Sequence, residues 1–186
     1  MSLSSILGDV NQFVSKIVEK VPIDLTKYEL DHICYRCSTK ESYIDILKAL
    51  AKYGDTLVEG MIGNRPISII KLFEPIKCQE GFTISCIEIP APKQGSPYAE
   101  GLEHAEFVIG TDIDDAHDNT LLKKMIEQYS SIKFDTRAID KEINADIALQ
   151  VDDTTSIKFH VSPIYKVVEI EKKNNLVIPV PVNYFD

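Results

Sequence analysis

The sequence predicts an α+β fold in which two βαβββ modules pair into a curved, cup-like mixed sheet with helices outside, preceded by an N-terminal helix. Three observations lead there. Segments with the two-residue alternation of strands and the 3.6-residue spacing of helices run in the order β-α-β-β-β, then repeat that order. The two runs are separated by "PAPKQGSPYAEG" at 90–101, rich in Pro and Gly. Finally, His32 and His104 open the two halves 72 residues apart, and Glu88 and His160, on the last strands, repeat that separation in a chain with only four histidines.

The elements follow in order. "MSLSSILGDVNQFVSKIVEKV" reads as one amphipathic helix with Ile6, Val10, Phe13, Ile17 and Val18 on a stripe. "DHICYRC" (31–37) is a short β-rich run. "TKESYIDILKALAKYGD" is a helix, with Ser38 or Thr39 as N-cap and Gly54 closing it. "DTLVEGMI", "PISIIKLFEP" and "FTISCIEIP" are strands joined by turns at Gly63-Asn64 and Glu80-Gly81. After the linker, "EHAEFVI" is a strand and "DIDDAHDNTLLKKMIEQYSS" a helix whose acidic first turn suits the macrodipole. "ALQVDDTTSIKFHV" is a hairpin turning at Asp152-Asp153, "PIYKVVEIEKK" is amphipathic, and "NNLVIPVPVNYFD" is extended. At 186 residues this is one domain. Its parts are an N-terminal helix and linker (1–27), first module (28–91), linker (92–101), second module (102–162), and C-terminal helix and tail (163–186).

Bulk properties narrow the function. Hydrophobic content of 44% and charge of 26% are ordinary for a globular protein. A net charge of −9 argues against nucleic acid or an anionic membrane surface as partner. No apolar run approaches the roughly 20 residues of a membrane span, and the first residues lack the basic-then-apolar pattern of a secretory signal. The expectation is a cytoplasmic protein with four reduced cysteines, a small-molecule ligand and no membrane or nucleic-acid partner; the sequence leaves a homodimer open.

Strand alternation sorts the chemistry. His32, Cys34 and Arg36 share one face, as do Ile84, Cys86 and Glu88. In the second half, Leu102, His104, Glu106 and Val108 share a face, and so do Lys158 and His160; Glu103, Ala105, Phe107 and Ile109 take the opposite one. The opposite faces, with Ile33, Tyr35, Ile87, Ile89, Ala105, Phe107, Ile157 and Phe159, are largely apolar and should pack on helices. The polar faces then line the cup. Three imidazoles (His32, His104, His160) and the Glu88 carboxylate have the composition of a first-row transition-metal site. Burying such groups unpaired costs several kcal/mol each, which a bound cation offsets. A single strand histidine is ordinarily a hydrogen-bonded core or rim residue, and the competing arrangement is a wet charged cup with Glu106 paired to Arg36 or Lys158.

"DHICYRC", "NRPISIIKLFEP", "IEIPAP", "GLEHAEFVI" and "SIKFH" together resemble the YecM family, over roughly residues 28–170. That family is similar in fold to the vicinal oxygen chelate superfamily, which includes glyoxalase I and extradiol dioxygenases. In that superfamily each module gives the metal one residue from its first strand and one from its last. The resemblance therefore implies His32 and Glu88, then His104 and His160, as ligands of a divalent ion (Zn, Ni, Mn or Fe(II)). Glyoxalase-like enzymes usually carry a carboxylate where His160 stands; this chain instead offers Glu106 beside His104, as ligand or base. The implied chemistry is Lewis-acid activation of a ligand with adjacent oxygens. Glu106 or Glu88 would move the proton, and Arg36 and Lys158 would anchor an anionic group. The same ligands suit oxygen chemistry at Fe(II). A non-catalytic small-ligand module of the same fold, and an adaptor with a vestigial cup, are the alternatives.

Other signals are weaker. "CYRC" matches C-x-x-C, but on a strand the two cysteines point to opposite faces and read as structural. "DIDDAHD" lacks the glycine and distal glutamate of a calcium loop and reads as a solvated helix start, leaving His117 outside the site. Asn64-Arg65 reads as a turn, with Arg65 a candidate to reach the mouth of the cup, and "IPVPV" as a docking tail.

Overall fold

A computed structural model describes residues 2–93, 95, 98–110 and 118–185. Its centre is a seven-stranded mixed sheet, open and not closed into a barrel, in which the strands beginning at Gly54, Arg65, Thr83, Glu29, Gly101, Ser156 and Asp146 lie side by side in that order. The first half contributes β1 (Glu29–Arg36), α3 (Lys40–Leu50), β2 (Gly54–Ile62), β3 (Arg65–Lys77) and β4 (Thr83–Pro90). The second contributes β5 (Gly101–Val108), α4 (Thr120–Gln128), β6 (Asp146–Gln150) and β7 (Ser156–His160). β1 and β5 begin and end 72 residues apart and pair antiparallel at the middle of the sheet. Each has its own last strand on the outer side, parallel: β4 beside β1, and β7 beside β5. Around the β1–β5 seam the halves are related by an approximate two-fold axis.

The symmetry is incomplete. Where β2 borders the first half, the second has, among the described residues, one isolated bridge, Asp135 to Ala148. The Asp135 carboxylate accepts the Arg137 backbone N–H (3.1 Å), and Ile139 N–H bonds the Thr136 carbonyl, so the chain turns away instead of extending the ladder. The fourth strand expected of the second module is thereby reduced to that bridge.

The apolar face carries the main core. Ile33, Ile87, Ala105, Phe107, Ile157 and Phe159, all fully buried, pack against Leu7 of α1 (Leu3–Leu7) and Phe13, Val14 and Ile17 of α2 (Val10–Lys20). Tyr43 and Leu50 of α3 and Leu122 and Met125 of α4 complete it. The single N-terminal helix expected from the sequence is divided in two. Gly8 takes φ +83, a left-handed conformation natural to glycine, and the Asp9 carboxylate caps the second helix by accepting from Gln12 N–H (2.9 Å). In α3, Thr39 and Ser42 form a reciprocal capping box. Gly54 does not close that helix but opens β2, where a Cβ would stand 2.3 Å from the Lys71 carbonyl oxygen. Gly63 and Asn64 both have positive φ, as a tight two-residue hairpin requires. The helix expected from residue 112 is present as α4; residues 111–117, including His117, lie outside the described residues.

One helix is on the other face. α5 (Ile164–Lys173) sets Ile164, Val167 and Val168 against Ile67, Ile69 and Cys86, so it lies on the same side of the sheet as the polar residues, not outside with the other helices. The tail follows it along β2, where Met61 N–H donates to the Ile178 carbonyl (2.8 Å). This second, smaller cluster walls the polar face.

Candidate metal centre

The β1–β5 seam positions the site. His32 pairs with Glu106 and Cys34 with His104, so all four side chains leave the same face. Twice along this seam one strand carries an extra residue. Asp31 has no partner between the Leu30–Phe107 and His32–Glu106 pairs, and Glu103 none between Cys34–His104 and Tyr35–Leu102. Such bulges re-aim the extra side chain. Alternation alone places Asp31 and Glu103 on the apolar face; instead each turns back to the histidine that follows it. Asp31 Oδ2 lies 2.8 Å from His32 Nδ1, and Glu103 Oε2 lies 2.8 Å from His104 Nδ1. A carboxylate at Nδ1 holds the proton there and leaves Nε2 free to accept.

The two Nε2 atoms converge on two carboxylates. His104 Nε2 is 3.1 Å from Glu106 Oε1 and 3.9 Å from Glu88 Oε1; His32 Nε2 is 3.6 Å from Glu106 Oε1 and 4.0 Å from Glu88 Oε2. One donor atom from each of these four residues lies within 4.8 Å of all the others. Ligands about 2.0–2.2 Å from a tetrahedral ion stand roughly 3.3–3.6 Å apart, so small side-chain adjustments suffice. Among the described residues the buried His32 Nε2 has no hydrogen-bond partner, the condition in which a buried polar atom is costly unless something binds it. The donor set fits a divalent ion.

His160 is not in this group. β7 pairs with β5 two residues out of step with the first half: Cys34 faces Glu88, whereas the equivalent Glu106 faces Lys158. An even slip keeps the face and changes the position along it. Lys158 therefore occupies the place related to Glu88, with Nζ 2.6 Å from Glu106 Oε1 and 3.4 Å from His104 Nε2. His160 stands one step deeper, with Nε2 3.5 Å from Asp31 Oδ2 and Nδ1 3.1 Å from Asn144 Oδ1. Asp31, His32 and His160 form a second close group. Cys34, Glu103 and His104 form a third, although Cys34 is buried with its thiol pushed well above the ordinary range, by burial first and then by Glu88 and Glu103. All four cysteines are buried free thiols.

The charges are strongly interdependent. At His32 burial opposes the charged form, but Glu106 and Asp31 outweigh it and hold the imidazole well above its usual range. At His104 burial and Lys158 oppose protonation, while hydrogen bonds to Glu103 and Glu106 prevail and raise it. Burial works against ionised Glu106, but Lys158 and the two histidines hold its carboxyl well below the usual carboxylate range. Lys158 is likewise held charged, against burial, by Glu106 and Glu88. His160 is shifted down by burial. The wet-cup pairing of Glu106 with Lys158 is thus present within the same cluster as the converging histidines.

A cavity of about 430 Å3 opens over the group, lined by His32, Glu88, His104, Glu106 and Lys158 below and by α5 and the tail above. Arg36 and Arg65 also line it. Both are engaged: Arg36 pairs with Glu103 (3.0 Å) and lies over the Tyr98 ring (4.0 Å), while Arg65 donates to the Tyr98 hydroxyl (2.9 Å) and the Ala91 carbonyl (3.3 Å).

Asp31, Glu103 and the α5 wall are features of the candidate site that alternation misses. A signal for the first two stands in the sequence: an acidic residue directly precedes each paired histidine, 72 residues apart, in "DHI" and "EHA". No helix among the described residues is long and apolar enough to cross a membrane.

Comparison with known proteins agrees with the motifs. A protein from Haemophilus influenzae described as uncharacterized is 32% identical over 108 residues, spanning 58% of this chain and 56% of that protein, so the chain matches little more than half its length. Protein YecM of Escherichia coli is 29% identical over 178 residues, covering 91% of this chain and 94% of the relative. A solved structure described as "Structural Genomics, Protein EC4020" superposes with a TM-score of 0.70 at 26% identity, covering 91% of both chains. The family model described as YecM protein matches residues 2–171, and the chain belongs to the YecM family.

Proposed function

We propose that this chain binds one divalent metal ion through His32, His104, Glu106 and Glu88, and uses it on a small oxygen-bearing molecule held in the cavity, in the manner of a vicinal oxygen chelate protein. The observation that carries this reading is the pair of carboxylate-oriented histidines, whose Nε2 atoms face the same two carboxylates. A divalent ion there, whether Zn, Ni, Mn or Fe(II), supplies Lewis acidity to adjacent oxygens of the bound molecule. Of the two carboxylate ligands, Glu106 is the nearer to both histidines and only 3% exposed, whereas Glu88, farther from both, is the one placed to leave the ion and accept or return a proton. His160 acts through Asp31, and Lys158, Arg36 and Arg65 orient an anionic ligand group. A reducing cytoplasmic setting suits the buried free thiols.

A second reading is favoured by the Lys158–Glu106 pair at 2.6 Å, which already neutralises one carboxylate: a cup of the same fold that binds a small ligand without metal or turnover. Elemental analysis of tag-free protein after reconstitution with Zn, Ni, Mn or Fe(II) separates the two. Stoichiometric metal in the wild type and its loss in His104→Ala are expected. Absence of metal in both refutes the first reading. Metal binding without turnover of 2-oxoaldehydes, hydroxyacids or catechols leaves the binding role and removes the catalytic one.

A further inference from the structure

The cavity has two chemically distinct sides. Its floor is the ionisable group just described, continued at one flank by Lys141, Asn144, Asp146 and Ser156. Its roof comes from β2, β3, α5 and the tail, and there the lining side chains are aliphatic apart from Arg65 and Glu171. Ile67 and Ile69 of β3 and Val167 and Val168 of α5 form its buried part, each no more than 8% exposed. Val177 and Ile178 of the tail continue it. Part of the backbone there is already engaged, since the Ile178 carbonyl accepts from Met61 N–H and Leu176 N–H donates to the Glu171 carbonyl. A sugar or polyol on this roof would lose hydrogen bonds to water without replacing them, whereas a hydrocarbon loses nothing.

We infer that the ligand is a small amphiphile: a head with two adjacent oxygens that meets the floor, and an unbranched or branched aliphatic body that lies under α5 and the tail. The inference rests on the proposed metal reading for its head group only. The roof is independent of it. A volume of about 430 Å3 is at the small end for ligand cavities, which suits a short chain rather than a long lipid. Each methylene buried under the roof should tighten binding by about three- to fourfold until the cavity is full.

Straight-chain alkyl hydroxamates of increasing length, titrated calorimetrically into the metal-reconstituted protein, measure the head and body together. Straight-chain primary alcohols of the same lengths, followed by ligand-observed NMR on the metal-free protein, measure the roof alone. Ile178→Asp, at a side chain 62% exposed and thus tolerant of substitution, places a charge in the roof; Ile62→Asp, 57% exposed and also lining the cavity, is the second variant. The expected result is a chain-length dependence in both series that Ile178→Asp flattens while metal stoichiometry stays unchanged. Flat affinity across both series overturns the aliphatic body whatever the floor binds. A chain-length dependence for the alcohols in protein that takes up no metal overturns the chelated head and the metal reading, and the aliphatic roof stands.

Discussion

Replacing Asp31 by Asn probes the site with little change of shape. Asp31 is 2% exposed, and one oxygen, Oδ2, takes His32 Nδ1–H at 2.8 Å and Ile164 N–H at 2.9 Å, with His160 Nε2 at 3.5 Å. An asparagine oxygen at that position keeps both hydrogen bonds and removes only the charge. Neutral hydrogen bonds are roughly half as strong as charge-assisted ones, so His32 becomes a poorer donor to metal and is held less firmly. Loss of such a partner typically weakens metal affinity 10- to 100-fold, about 1.4–2.7 kcal/mol. Glu103→Gln makes the same change at His104. Because the Glu103 side chain is 23% exposed against 1% for Asp31, solvent screens it and the loss should be smaller. Competition with a chromogenic chelator reads the affinities, and thermal melting confirms the fold. Wild-type affinity in Asp31→Asn would refute the argument that these carboxylates orient the ligands, and a larger loss in Glu103→Gln would refute the argument that solvent screens the more exposed of the two.

Other expectations follow from packing and charge. Phe159→Ala should cost about 3–5 kcal/mol, read by urea denaturation, because Phe159 is fully buried among Tyr28, Phe107 and Phe134; a loss below 1 kcal/mol would contradict that packing. Gly54→Ala should destabilise by at least about 1–3 kcal/mol, since its Cβ meets the Lys71 carbonyl at 2.3 Å and β3 must shift. Burial pushes the Cys37 thiol up to about 12 and Cys78 up to about 11. Folded-state values raised in this way favour the neutral thiol, so their contribution to stability is full below the ordinary thiol range of about 8.5 and is lost as pH rises towards 11–12. Alkaline melting curves of wild type and Cys37→Ala should converge over that window, and an unchanged difference would count against it.

The sequence is most legible where local pattern suffices. The 72-residue offset anticipates that β1 and β5 match end to end, and alternation correctly assigns Ile33, Ala105 and Phe107 to the core. Pairing register is different, because it belongs to two strands at once. Nothing local to "SIKFH" says that β7 sits two residues out of step, so Lys158 rather than His160 stands opposite Glu106. Bulges are equally invisible to a two-residue period, and they turn Asp31 and Glu103 towards the histidines. The amphipathic pattern of α5 shows that it packs, but not on which face.

What the two-fold axis preserves and what it breaks divide the work of the site. Asp31-His32 and Glu103-His104 are related by the axis, make matching 2.8 Å contacts, and present two equivalent Nε2 atoms. Symmetry alone would give two matching carboxylate–imidazole pairs. The difference in charge between the halves comes from positions where they differ: Glu106 stands where the first half has Cys34, and Lys158 where it has Glu88. With Asp31 and Glu103 beside Glu88 and Glu106, four carboxylates stand against the Lys158 ammonium and two imidazoles, so the group stays acidic whether or not the imidazoles are protonated, which favours a cation over an anion at the floor. Exchanging these asymmetric residues therefore tests the site differently from removing a histidine. Lys158→Met deletes the cation now 3.4 Å from His104 Nε2 and should tighten metal binding, whereas Glu106→Gln should weaken it, and opposite signs in one titration would tie the acidity of the floor to the metal.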